Sequence, residues 1–138
     1  MPQTYVRFRT DHEKEEEMAE EKLVIMVTHG PDDPELATIP FVMAGAALAS
    51  DVGVVMGFQA EGVRLVQEGI AEKVEAPEFA PLRDLLPTVR ELGGSFLVCN
   101  PCIKSRQIPE EGLIEGAEVV AAGRFIAEIT SATNSLVY

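Results

Sequence analysis

Hydrophobic and polar positions change pattern sharply at Lys22. Leu23, Val24, Ile25, Met26 and Val27 form one continuous apolar run, which predicts a strand buried on both faces. Thr28-His29-Gly30-Pro31 breaks the run. Asp32-Asp33-Pro34-Glu35 then reads as a helix start, with an aspartate cap, a proline in the first turn and an acid beside it. The helix is expected to reach about Ser50, with a kink or restart at Pro40, and its apolar face holds Phe41, Ala44, Ala47 and Leu48. Residues 52–58 predict a second strand and residues 61–68 a short helix. Leu82, Leu85, Leu86, Val89 and Leu92 recur at helical spacing, interrupted by Pro87 and ended by Gly93-Gly94.

Residues 95–99 predict a third strand, followed by a helical turn carrying Lys104 and Arg106 and a loop at residues 109–112. A fourth strand is expected at residues 117–120. A helix over residues 123–133 follows, with Phe125, Ile126 and Ile129 facing inward, and a fifth strand over residues 135–138. Strands alternating with helices imply an α/β domain with a mainly parallel sheet of about five strands. No internal repeat or low-complexity core interrupts it. Residues 1–21 differ from this pattern: seven acids against three bases make an acidic arm, read as a solvated helix or a disordered segment. The domain proper is therefore placed at residues 22–138.

Length and charge narrow the functional classes. A chain of 138 residues suits one domain and one core. With 23 acids and 11 bases the net charge is -12, which argues against nucleic acid and against an anionic membrane surface. The start of the chain has no signal-peptide h-region, and the longest apolar stretches are far shorter than a membrane span. The expected location is the cytoplasm, where cysteines are normally reduced.

In an open parallel sheet, sites form at the carboxyl ends of the strands. That rule gathers residues 28–33, 58–62 and 99–106. No phosphate-loop or dinucleotide fingerprint occurs, so no cofactor is expected. The strongest local signal is Cys99-Asn100-Pro101-Cys102, at a predicted strand-to-helix junction. Backbone N–H groups and a helix dipole there favour a thiolate, and Lys104 and Arg106 add positive potential. The plain alternative is a cysteine that packs as a small hydrophobe. Asp32 and Asp33 read first as helix-capping residues, and Met26, Met43 and Met56 as core filling.

A C-x-x-C pair has three common meanings. As half of a zinc site it lacks a second pair, and His12 and His29 are the only histidines. As a thioredoxin-type dithiol it has a proline before the second cysteine, yet it follows the third strand and not an early one. The third meaning is a sulfur-handling thiol with a resolving thiol nearby.

Residues 23–28, His29-Gly30-Pro31-Asp32-Asp33-Pro34-Glu35, Gly62-Val63 and Gly94-Ser95-Phe96-Leu97-Val98-Cys99, in that order, resemble the DsrE/DsrF-like family. That family includes TusD-type proteins and members labelled predicted peroxiredoxins. The resemblance covers about residues 22–138 and leaves the acidic arm unmatched. It implies a three-layer α/β/α Rossmann-like domain that assembles into trimers or hexamers. It also implies sulfur transfer through a cysteine persulfide, with Cys99 as the matching acceptor and a TusA-like carrier as partner. Cys102 is then a resolving thiol or a second acceptor. Asn100, Lys104 and Arg106 are expected to stabilise the anion, and His29 to move a proton. Two other readings stay open: a dithiol/disulfide redox protein using Cys99 and Cys102, and a non-catalytic assembly subunit.

Overall fold

The computed structural model describes residues 10, 11 and 21–138. The expectation for the acidic arm falls outside the described residues, save for Thr10, Asp11 and Glu21. Five strands form one sheet: β1 (Lys22–Val27), β2 (Gly53–Phe58), β3 (Ser95–Cys99), β4 (Ala117–Val120) and β5 (Asn134–Val137). Their order is β4-β3-β2-β1-β5 and every pairing is parallel. The apolar run after Lys22 is an interior strand between β2 and β5, in register with β2 from Lys22 opposite Gly53 to Val27 opposite Phe58.

Parallel strands need crossovers, and four helices supply or accompany them. They are α1 (Pro34–Ala49), α2 (Leu82–Glu91), α3 (Asn100–Ser105) and α4 (Ala122–Ser131). Side chains alternate across a strand, so β1 feeds two cores. Ile25 and Val27 join the larger core with Phe41, Phe58, Phe96, Leu86 and Val89 from α1, α2 and the neighbouring strands. Val24 and Met26 join Leu97, Val120 and Phe125 in a smaller core beneath α4. This is the expected three-layer arrangement. Phe41, Phe58 and Phe96 anchor the larger core, with ring centroids 5.4–6.1 Å apart and two edge-on contacts. Burying each ring contributes on the order of 1.5–3 kcal/mol.

Local signals explain the element ends. The Asp33 side chain caps α1 by accepting from Leu36 N–H at 3.1 Å, and Pro34 occupies the first turn. Gly93, at φ +101°, ends α2 in the left-handed conformation, and Gly94 N–H returns to the Val89 carbonyl at 2.9 Å.

Three details differ from the sequence pattern. α1 runs unbroken through Pro40, whose ring is buried among apolar neighbours, and α2 likewise contains Pro87. Tertiary packing outweighs the one backbone bond that each proline removes. The segment expected to be a short helix at residues 61–68 is a 3-10 helix, Ala60–Val66. Ile126 does not face inward: it is 59% exposed, while Phe125 is buried and Ile129 half-buried. Phe125 and Ile129 are four residues apart and share a face, and Ile126 lies about 100° around the helix from Phe125. No described helix is long and apolar enough to cross a membrane.

Candidate functional site

The carboxyl ends of β1, β2 and β3 converge through the Ala60–Val66 turn. Gly62 packs so closely on the Val27 carbonyl that a Cβ there would collide with backbone, and Gly30 packs in the same way on the Glu61 carbonyl. These two glycines seat the turn against the end of β1. Ala60 adopts φ +50°, an uncommon conformation for a residue with a Cβ. Its N–H donates to Cys102 Sγ at 3.3 Å.

Cys99 is the last residue of β3, and Cys102 lies in the first turn of α3. Both are free thiols and both are partly exposed. Of the neighbouring groups, the Cys102 side chain and the Cys102 backbone N–H act most on the Cys99 thiol. Burial pushes the Cys99 thiol above its ordinary range, and the Cys102 side chain adds to that rise. The Cys102 N–H and the Arg106 charge act the other way without reversing it. This is opposite to the direction expected from a helix start. The physical reason is burial of the sulfur, which outweighs the Cys102 N–H and the Arg106 charge.

Arg106 follows α3 and is tied to the same spot. Its Nε donates to Glu61 Oε1 at 2.8 Å, and its terminal nitrogen donates to the Cys102 carbonyl at 3.2 Å and to Ser105 Oγ at 3.2 Å. The second oxygen of Glu61 accepts from Arg64 Nε at 2.8 Å. Arg106 foremost, with Arg64, holds the Glu61 carboxyl below the usual carboxylate range.

The remaining expected residues are placed as follows. Asn100 is half-buried at the start of α3, and its Oδ1 is buried without a hydrogen-bond partner. An acceptor does not stabilise an anion, so any such contribution from Asn100 must come from its N–H groups. Lys104 is exposed in the last turn of α3. His29 Nδ1 lies 3.0 Å from Asp32 Oδ2, and Asp32 Oδ1 accepts from Gly30 N–H at 2.7 Å. Asp33 is thus the cap, whereas Asp32 orders the loop and orients His29. The His29 bond holds the Asp32 carboxyl below its usual range. Among the described residues, no group of three or more His, Cys, Asp or Glu side chains is arranged to hold a metal ion.

Sequence reasoning singled out neither Ala60, Glu61 nor Arg64. The strand-end rule did gather residues 58–62, and Glu61 with Arg64 at a spacing of three is a legible ion pair. The left-handed conformation of Ala60 leaves no trace in the sequence.

An all-parallel α/β domain with two free cysteines at the carboxyl edge of its sheet defines the class of fold: a Rossmann-like domain. The profile of the DsrE/DsrF-like family matches residues 21–138, and the chain belongs to that family. Two proteins of Methanocaldococcus jannaschii, both described as uncharacterized, are similar in sequence. MJ0760 is 31% identical over 118 residues, covering 83% of this chain and 43% of its own length. MJ0989 is 30% identical over 120 residues, covering 85% of this chain and 99% of its own length. The crystal structure of the YchN protein from E. coli shares the fold at a TM-score of 0.72 and 18% identity, covering 86% of this chain and 99% of that one. The Methanobacterium thermoautotrophicum protein of unknown function MTH1491 does so at 0.69 and 14% identity, with the same coverage. Family membership supports a role of the sulfur-relay type in general.

Proposed function

We propose that the protein is a cysteine-based sulfur carrier, or sulfurtransferase, that accepts sulfane sulfur or a thiosulfonate group on Cys99. The observation that carries this reading is the placement of Cys99: a partly exposed thiol at a strand end, three residues from a second free thiol and within the field of Arg106. In the proposed step the Cys99 thiolate attacks the outer sulfur of a donor persulfide. A new S–S bond forms at Cys99, the donor S–S bond breaks, and the donor leaves as a thiolate. No net oxidation occurs. Backbone N–H groups near Asn100 and Cys102, with Arg106 and Lys104, stabilise the anionic cargo, and His29, oriented by Asp32, moves the proton. Because burial disfavours the thiolate of the resting protein, deprotonation accompanies the approach of the donor.

Residues 22–138 form the working domain in this reading, in a cytoplasmic homo-oligomer, trimeric or hexameric, that passes sulfur to a TusA-like carrier. Val42 and Met43, both about two-fifths exposed on the largely apolar α1, support self-association. Two free thiols three residues apart at one strand-to-helix junction favour a second reading, a dithiol/disulfide redox protein. Intact-mass spectrometry after incubation with thiosulfate, tetrathionate or a persulfide donor separates the two. A reducible sulfur or thiosulfonate gain that is lost in Cys99→Ser and kept in Cys102→Ser is the carrier result. No adduct, but a rapid peroxide-driven disulfide, is the redox result.

A further inference from the structure

Glu61 lies outside the thiol pair, yet three separate contacts fix its backbone. Ala60 is held in a left-handed conformation with its N–H on Cys102, Gly30 abuts the Glu61 carbonyl, and Gly62 abuts the Val27 carbonyl. The Glu61 carboxylate is therefore not a wandering surface group. One of its oxygens is taken by Arg106 and the other by Arg64, each at 2.8 Å. Arg106 is in turn anchored to the Cys102 carbonyl, in the first turn of the helix that Cys99 begins.

We propose that Glu61 is a positioning residue for the thiol site: it holds Arg106 by Nε and offsets its charge, so that the guanidinium's field at the Cys99 sulfur is set by the Glu61 carboxylate. This rests on the reading of Cys99 as the working thiol. The site is kept near neutrality while empty. An incoming anionic sulfur donor competes with Glu61 for Arg106, so the cation is exposed to the cargo when cargo is present. Among the described residues, the segments at this end of the sheet also carry Cys102 and Lys104 on α3, Arg64 on the turn, and His29 with Asp32 on the β1 loop. On the β4 and α4 side, Arg124 is occupied by Glu118 and Glu128.

The test is the pH profile of Cys99 alkylation by iodoacetamide, read by peptide mass spectrometry so that Cys99 and Cys102 are separated. It compares wild type with Glu61→Gln, Arg106→Gln and the double variant. Glu61→Gln leaves Arg106 unopposed and is expected to move the Cys99 profile to lower pH. Its labelling near pH 8 should be about threefold faster, the scale of a partly exposed charge pair. Arg106→Gln moves the profile to higher pH, and the double variant, which removes both charges, lies between the two single variants. A Glu61→Gln profile that is unmoved or higher overturns the proposal. Glu61→Asp, which keeps the charge, is expected to return the profile toward wild type. Should Glu61→Gln fail to fold, Arg64→Gln is read instead: leaving Glu61 to Arg106 alone raises the profile, and an unmoved or lowered one overturns the proposal. Alkylation needs no sulfur donor. A Cys99 that takes up no sulfur would therefore refute the proposed function while leaving this comparison standing.

Discussion

Adding one methyl group at Gly62 and one at Gly45 is the same chemical change with opposite expected signs. At Gly62 the new Cβ would overlap the Val27 carbonyl oxygen and come within 2.8 Å of its carbon and 3.3 Å of Thr28 N. These are backbone atoms at the end of β1, an interior strand, and no side-chain rotation relieves the overlap. Overpacking of this kind costs about 1–3 kcal/mol. The lower entropy of an unfolded chain with alanine returns about 0.4–1 kcal/mol. Gly62→Ala should therefore destabilise the protein by roughly 1–2 kcal/mol. Gly45 lies inside α1 with nothing within 4 Å of its Cβ position, so alanine there meets no obstacle. Gly45→Ala should stabilise by about 0.5–1 kcal/mol. Urea unfolding of the two variants and wild type reads both signs in one experiment, and each kcal/mol corresponds to roughly 4 °C of melting temperature. Because Gly62 seats the turn that carries Ala60, Gly62→Ala should also change the reactivity of Cys102. A Gly62→Ala protein as stable as wild type, with unchanged thiol labelling, would refute the claim that this close approach builds the site.

Other expectations follow from single residues. Phe125→Ala, which empties the small core beneath α4, should cost about 3–5 kcal/mol in denaturant unfolding, whereas Ile126→Gln should stay within about 0.5 kcal/mol of wild type. Equal costs would contradict the observed face of α4. Burial raises Cys99, so the fold favours the neutral thiol; that contribution is complete below the ordinary thiol range and is lost as pH rises through the raised value. Iodoacetamide labelling of Cys99 in the native protein should therefore rise at higher pH than in the urea-unfolded chain. The His29 bond lowers Asp32, so its contribution is present above the usual aspartate range and is lost as pH falls through the lowered value. Asp32→Asn should flatten that part of the acid-stability curve measured by circular dichroism.

The layer order of this domain was legible because its local signals agree with one another. The run after Lys22 has no polar position that would open a face, Asp33 and Pro34 mark a helix start, and Gly93-Gly94 mark a helix end. Features set by packing were not legible. Pro40 and Pro87 suggested breaks, but buried neighbours carry both helices through. Ile126 looked as apolar as Phe125, and only the angle around α4 separates them. The positions of the two thiols followed from the strand-end rule, yet the direction of the Cys99 shift did not. A short helix start is visible in sequence, whereas the burial that outweighs it is a product of the folded packing. Glu61 was missed for the same reason: its partner Arg106 is 45 residues away.

The most direct test of the carrier role is peptide mapping of the wild-type protein after brief exposure to a persulfide donor and alkylation. The expected result is one additional, reducible sulfur on the peptide bearing Cys99, transferable to an added acceptor thiol. Sulfur found on Cys102 alone, or on neither cysteine while a Cys99–Cys102 disulfide accumulates, would contradict it.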